Sequence, residues 1–88
     1  MLVFFTAASS GPARRMESLL AHVARRERHR LRTTSVDVEK RPDLAQRFDV
    51  GTIPTLVLVK EKRVVAKLEG RASAPAIEEM LTEHLDFA

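Results

Sequence analysis

Three different hydrophobic periods occur along this chain, and they predict its elements in turn. Leu2-Val3-Phe4-Phe5 is continuously apolar, as in a central strand covered on both faces. Ser9-Ser10-Gly11-Pro12 follows, with a serine placed to cap a helix and a proline for its first turn. Met16, Leu19, Leu20 and Val23 then recur at helical spacing, with Arg14, Ser18, Ala21, Arg25 and Arg28 on the opposite face. This helix is expected to fray around His29. Thr34, Val36 and Val38 alternate with Thr33, Ser35 and Asp37, the pattern of a half-buried strand.

Arg41-Pro42-Asp43 reads as a helix start, and Leu44, Ala45 and Phe48 supply the inner side of a short helix. Thr55 to Lys60 is a second nearly unbroken apolar strand. Glu61-Lys62 lacks the Gly or Asn favoured in tight hairpins. Nevertheless Val64, Ala66 and Leu68 resume alternation at once, and only an antiparallel pair closes so tightly. Gly70 ends that strand. Ser73 caps a last helix with Pro75 in its first turn and Ile77, Met80, Leu81 and Leu85 inward. The order is β-α-β-α-β-β-α. The helical crossovers predict that the first three strands run parallel, with right-handed connections.

Composition changes this picture little. Eighty-eight residues, 44% hydrophobic and 31% charged, suit one domain spanning 1–88 with a single modest core. Apolar runs of about five residues fall far short of the roughly 20 that a membrane helix needs. Met1 to Phe5 lacks a basic leader and is too short for a signal-peptide core. The expectation is a cytoplasmic protein that does not engage a membrane.

Charge matters more by position than by total. The net charge is +3, yet residues 14–32 hold seven Arg against Glu17 and Glu27, leaving the remainder at −2. Clustered Arg can neutralise phosphates, but no aromatic side chain is interleaved to stack on bases. Phe4, Phe5, Phe48 and Phe87 belong to strands, the short helix or the tail. The arginine face is therefore read as solvated, not as a nucleic-acid interface. His22, His29 and His84 lack metal-ligand spacing and have no cysteine to assist them, so no metal and no cofactor is expected. His22 also lies about 18 Å along the helix from Ser10, too far to activate it as a nucleophile.

Leu2-Val3-Phe4-Phe5, Gly11-Pro12, Val36-Asp37-Val38, the run Phe48 to Leu56 and Gly70 stand in an order that resembles the thioredoxin superfamily over nearly the whole chain. Ile53-Pro54-Thr55, placed just before an apolar strand, is the most specific of these matches. The resemblance implies a three-layer α/β/α sandwich around a four-stranded mixed sheet. It also implies a cis peptide bond at Pro54, facing the redox loop.

The departures concern chemistry. The two cysteine positions of that loop are Ser10 and Ala13, and the chain has no cysteine at all. Ser9 stands where the family has tryptophan, Phe4 where it has a buried acid, and Thr33 where a lysine often pairs with that acid. Five changes together speak for a natural sequence, since an engineer removing the thiols would alter two positions. A thiolate is the nucleophile of disulfide exchange, and serine oxygen forms no comparable exchangeable bond. Disulfide oxidoreductase chemistry is thereby excluded, and no catalytic residue is assigned.

The resemblance implies, instead, a protein- or peptide-binding or scaffolding module. Its groove would be bounded by Ser9, Ser10, Gly11 and Pro12 on one lip and Thr52, Ile53, Pro54 and Thr55 on the other. Backbone groups hold an extended peptide there by strand addition. Two alternatives remain open at this point: a glutathione-dependent enzyme using the Ser10 hydroxyl, and a regulatory protein similar to the KaiB family. The family's usual strand and helix ahead of Leu2 have no counterpart here. That strand would lie beside Arg32 to Val38, which is then expected to be a sheet edge able to pair with a second copy as a homodimer.

Overall fold

The computed structural model describes residues 1–85, so Phe87 and its neighbours lie outside the described residues. The elements are β1 (Leu2–Thr6), α1 (Gly11–Arg26), β2 (Thr33–Asp37), α2 (Pro42–Arg47), β3 (Thr55–Lys60), β4 (Arg63–Glu69) and α3 (Ala74–Leu85). The C-terminal half keeps the hairpin strand and final helix that the thioredoxin resemblance implies, not the different order that would have pointed to KaiB.

The sheet order is β2-β1-β3-β4. β1 pairs parallel with β2, but β3 runs antiparallel to β1 and β4 antiparallel to β3. The expectation of three parallel strands is thus corrected. Its physical reason is the length of α2. Six residues make a helix of about 9 Å, against about 17 Å for a five-residue strand. The connection does not return the chain to the far end of the sheet, so β3 enters where β2 leaves.

Helices cover both faces of this mixed sheet. Leu2, Phe4, Leu56 and Leu58 meet Met16, Leu20 and Val23 of α1 and Ile77, Met80 and Leu81 of α3. On the other face Val3, Phe5 and Val57 pack against Leu44, Phe48 and Val50. The Phe5 and Phe48 rings lie 5.6 Å apart between centroids, tilted by 55°, a favourable aromatic geometry. Because alternate β1 residues enter different cores, the unbroken apolar run Leu2–Phe5 is what a strand buried on both faces requires.

Two local devices depart from the simple pattern. Glu61 and Lys62 both take positive φ, 53° and 67°, which is what a two-residue hairpin needs at both central positions. Tertiary pairing on either side holds non-glycine residues in that region. A register shift between Leu58 and Val59 then adds one residue to β4. Val65 is turned onto the larger core beside Ala66 and Leu68, whereas Val64 is 51% exposed, contrary to the strict alternation read from sequence.

Candidate functional site

Phe5 of β1 faces Thr55 of β3 in the antiparallel ladder. The chain therefore leaves β1 and enters β3 at the same end of the sheet, on neighbouring strands. That register carries the loop before α1 and the turn Thr52-Ile53-Pro54 to one end of the molecule.

Ser10 has extended backbone (φ −94°, ψ 111°) and is the N-cap of α1. Its Oγ accepts a hydrogen bond from Ala13 N at 3.2 Å, and its carbonyl accepts from Arg14 N at 3.0 Å. The hydroxyl meets one donor that a helix start leaves unsatisfied, and the carbonyl accepts the first intrahelical bond. Ala13, the second degenerate loop position, is fully buried in the core, so it presents nothing at the surface. Ser9 is held differently: its N and Oγ both donate to Glu39 Oε1, at 3.3 and 3.2 Å. Glu39 N in turn donates to Asp37 Oδ1 at 2.8 Å, so the end of β2 fixes the loop after β1.

No acidic residue occupies the first turn of α1, where the helix dipole would favour one. Arg14 and Arg15 stand there instead. The Arg15 guanidinium lies against Gly11, 3.3 Å from the place a β-carbon would take. With Glu17, these residues line an open depression of about 370 Å³. The start of α1 is therefore basic.

At the same end of the sheet the Ile53–Pro54 peptide bond is cis. Thr55 Oγ1 donates to the Thr52 carbonyl at 2.5 Å, and Gly70 N donates to the Pro54 carbonyl at 2.8 Å. Gly70 has a φ of +79°, a conformation that glycine adopts without steric cost. Pro54 and Thr55 are fully buried and frame the turn from within. Thr52 is exposed and Ile53 half-buried. Among the described residues the N–H and C=O of Ile53 form no hydrogen bond within the chain.

Lys67 was not legible as a site residue from sequence. Its Nζ donates to the Asp49 carbonyl at 2.6 Å, tying β4 to the segment that leads into Pro54. Asp49 itself takes a positive φ of 55°, and an isolated basic residue on a strand gives no sequence signal of such a tether. The three histidines stay apart from this end: His22 and His29 are exposed and His84 half-buried on α3. Among the described residues no cluster of His, Cys, Asp or Glu is suited to a metal ion, and no helix is long and apolar enough to cross a membrane.

Comparisons with known proteins agree with this architecture. The thioredoxin family model matches residues 1–83. A thioredoxin-like protein of Synechocystis is 31% identical over 81 residues, covering 92% of this chain and 77% of that protein. The thioredoxin of Alicyclobacillus acidocaldarius is 32% identical over 85 residues, covering 97% and 81%. Among solved structures, a thioredoxin from Nicotiana alata superposes with a TM-score of 0.89 at 27% identity, over 96% of this chain and 71% of that one.

Proposed function

The chain belongs to the thioredoxin family, and from that premise we propose that it is a redox-inactive binding module docking an extended peptide segment of a partner protein beside Pro54. With no cysteine, the disulfide exchange of a thioredoxin has no thiol to proceed on. What supports binding in its place is the unpaired backbone of Ile53. An N–H and C=O left unpaired within the chain at this turn offer an extended peptide the two bonds by which a strand adds to an edge.

The basic start of α1 gives the partner a character. Arg14 and Arg15 beside Gly11 favour a peptide with acidic side chains where it passes the start of α1. The Ser10 hydroxyl is engaged as a helix cap, which favours this reading over a glutathione-dependent enzyme using that hydroxyl.

The test is to select peptides by display against the intact chain, then compare affinities for variants. Thr52→Arg, at an exposed position, is expected to weaken the selected peptides roughly tenfold, or about 1.4 kcal/mol. Arg14→Glu with Arg15→Glu is expected to shift selection away from acidic peptides. Unchanged affinity and unchanged selection in both variants would remove the proposal.

A further inference from the structure

A second surface lies along the β2 edge of the sheet, and it shares only Glu17 with the depression at the start of α1. Among the described residues β2 is an edge strand. Leu2 N donates to the Arg32 carbonyl at 2.8 Å and Val38 N to the Thr6 carbonyl at 2.9 Å. In a parallel ladder this fixes which residues turn inward: the even-numbered ones bond β1, and Thr33 and Ser35 direct N–H and C=O outward.

Beside that edge lies a groove of about 410 Å³ between α1 and β2, lined by Glu17, Ala21, Ala24, Thr33, Thr34 and Ser35 above Phe4. Thr33 Oγ1 is buried there with no hydrogen-bond partner. Buried hydroxyls are ordinarily paired, and a turn of the Thr33 side chain about its Cα–Cβ bond would bring this one to the edge.

The geometry points to a second copy of this chain as the occupant, joined by antiparallel β2–β2 pairing about a two-fold axis through Thr34. In this register Thr33 of each copy stands opposite Ser35 of its partner, and each pair exchanges N–H···O bonds in both directions. The Thr33 and Ser35 side chains share the α1 face of the sheet, with Cβ atoms about 5 Å apart across such a pair. With that turn the Thr33 hydroxyl comes within reach of the Ser35 hydroxyl of the partner. Thr34 meets its own symmetry mate, a β-branched pair suited to strands.

Charge makes the same choice. Glu17, Ala21, Ala24 and Arg28 recur at helical spacing, with Arg28 in the turn just after α1. Ala21, Ala24 and Thr34 line the same groove, so an axis through Thr34 brings the two α1 helices side by side and antiparallel. Ala21 of one copy then faces Ala24 of the other across the joined grooves, where small residues leave room for longer side chains to reach over. Glu17 meets Arg28, twice by symmetry. Neither Glu17 nor Arg28 forms an ion pair within the chain among the described residues.

The experiment is the mass of the full chain by light scattering across a micromolar-to-millimolar series. The expected result is a doubling of mass with concentration. Thr34→Lys, at an exposed position, sets two lysines on the axis and is expected to return the monomer with unchanged circular dichroism. Glu17→Arg is expected to weaken the dimer at least tenfold, and Glu17→Arg combined with Arg28→Glu to restore it. A monomer at every concentration, a dimer indifferent to Thr34→Lys, or a charge swap without rescue would each overturn the assignment.

Discussion

Phe5 and Thr55 face each other across the β1–β3 ladder, and that single antiparallel pairing positions everything proposed for the Pro54 end of the molecule. Had β3 run parallel to β1, the turn Thr52-Ile53-Pro54 would lie at the opposite end of the sheet from Ser10 and Gly11. The antiparallel register goes with a connection whose one helix is too short to carry the chain back to the far end of the sheet. Site geometry thus depends on the six residues of α2 as much as on the loop residues themselves.

Ser10 is expected to act in stability and not in chemistry. Ser10→Ala removes the acceptor for Ala13 N, and loss of a serine cap costs about 1 kcal/mol. Urea denaturation should show a lowered midpoint with an unchanged slope. Retention of wild type on immobilised glutathione, lost in Ser10→Ala, would contradict this role.

The hairpin turn holds removable strain. Glu61 and Lys62 both sit at positive φ, where a side chain costs about 1 kcal/mol or more and Asn-Gly is favoured. Glu61→Asn combined with Lys62→Gly is expected to stabilise the protein by about 1 kcal/mol in the same assay. A destabilised double variant would mean that this turn is not the conformation in solution.

The bulge in β4 separates two adjacent valines. Val64 is 51% exposed, so Val64→Thr should change stability by less than about 0.5 kcal/mol. Val65 packs against the core, so Val65→Thr should cost about 1 kcal/mol or more by setting a hydroxyl against apolar neighbours. Equal costs at the two positions would contradict the register shift.

Much of this fold was legible in the sequence because its elements are locally consistent. Leu2–Phe5 and Thr55–Val59 read as buried strands, and Met16, Leu20 and Val23 gave α1 its inner face. The direction of β3 was not legible, since periodicity reports which faces are buried and says nothing of which way a strand runs. Val64 was misplaced because a bulge changes the count of residues without changing their type. At the site, Ser10 and the Pro54 turn announced themselves by residue type. Glu39 and Lys67 did not, because each acts through long-range bonds, to Ser9 and to the Asp49 carbonyl, that no local pattern encodes.

Lys67 gives that last point a test. Lys67→Met keeps the aliphatic stem and removes the bond to the Asp49 carbonyl. Hydrogen exchange should speed up at Val50 to Ile53, and a display-selected peptide should bind several-fold more weakly. Global stability should fall by no more than about 1 kcal/mol. Exchange unchanged in that segment would remove the tethering role.

The most direct measurement of the binding account is a titration of the ¹⁵N-labelled chain with a display-selected peptide, followed at the Ile53 amide. The account predicts that Ile53 shifts most and gains protection from exchange, with Thr52 and Gly11 moving alongside it. A peptide that binds while leaving Ile53 unmoved, shifting amides of α3 or β4 instead, would contradict it.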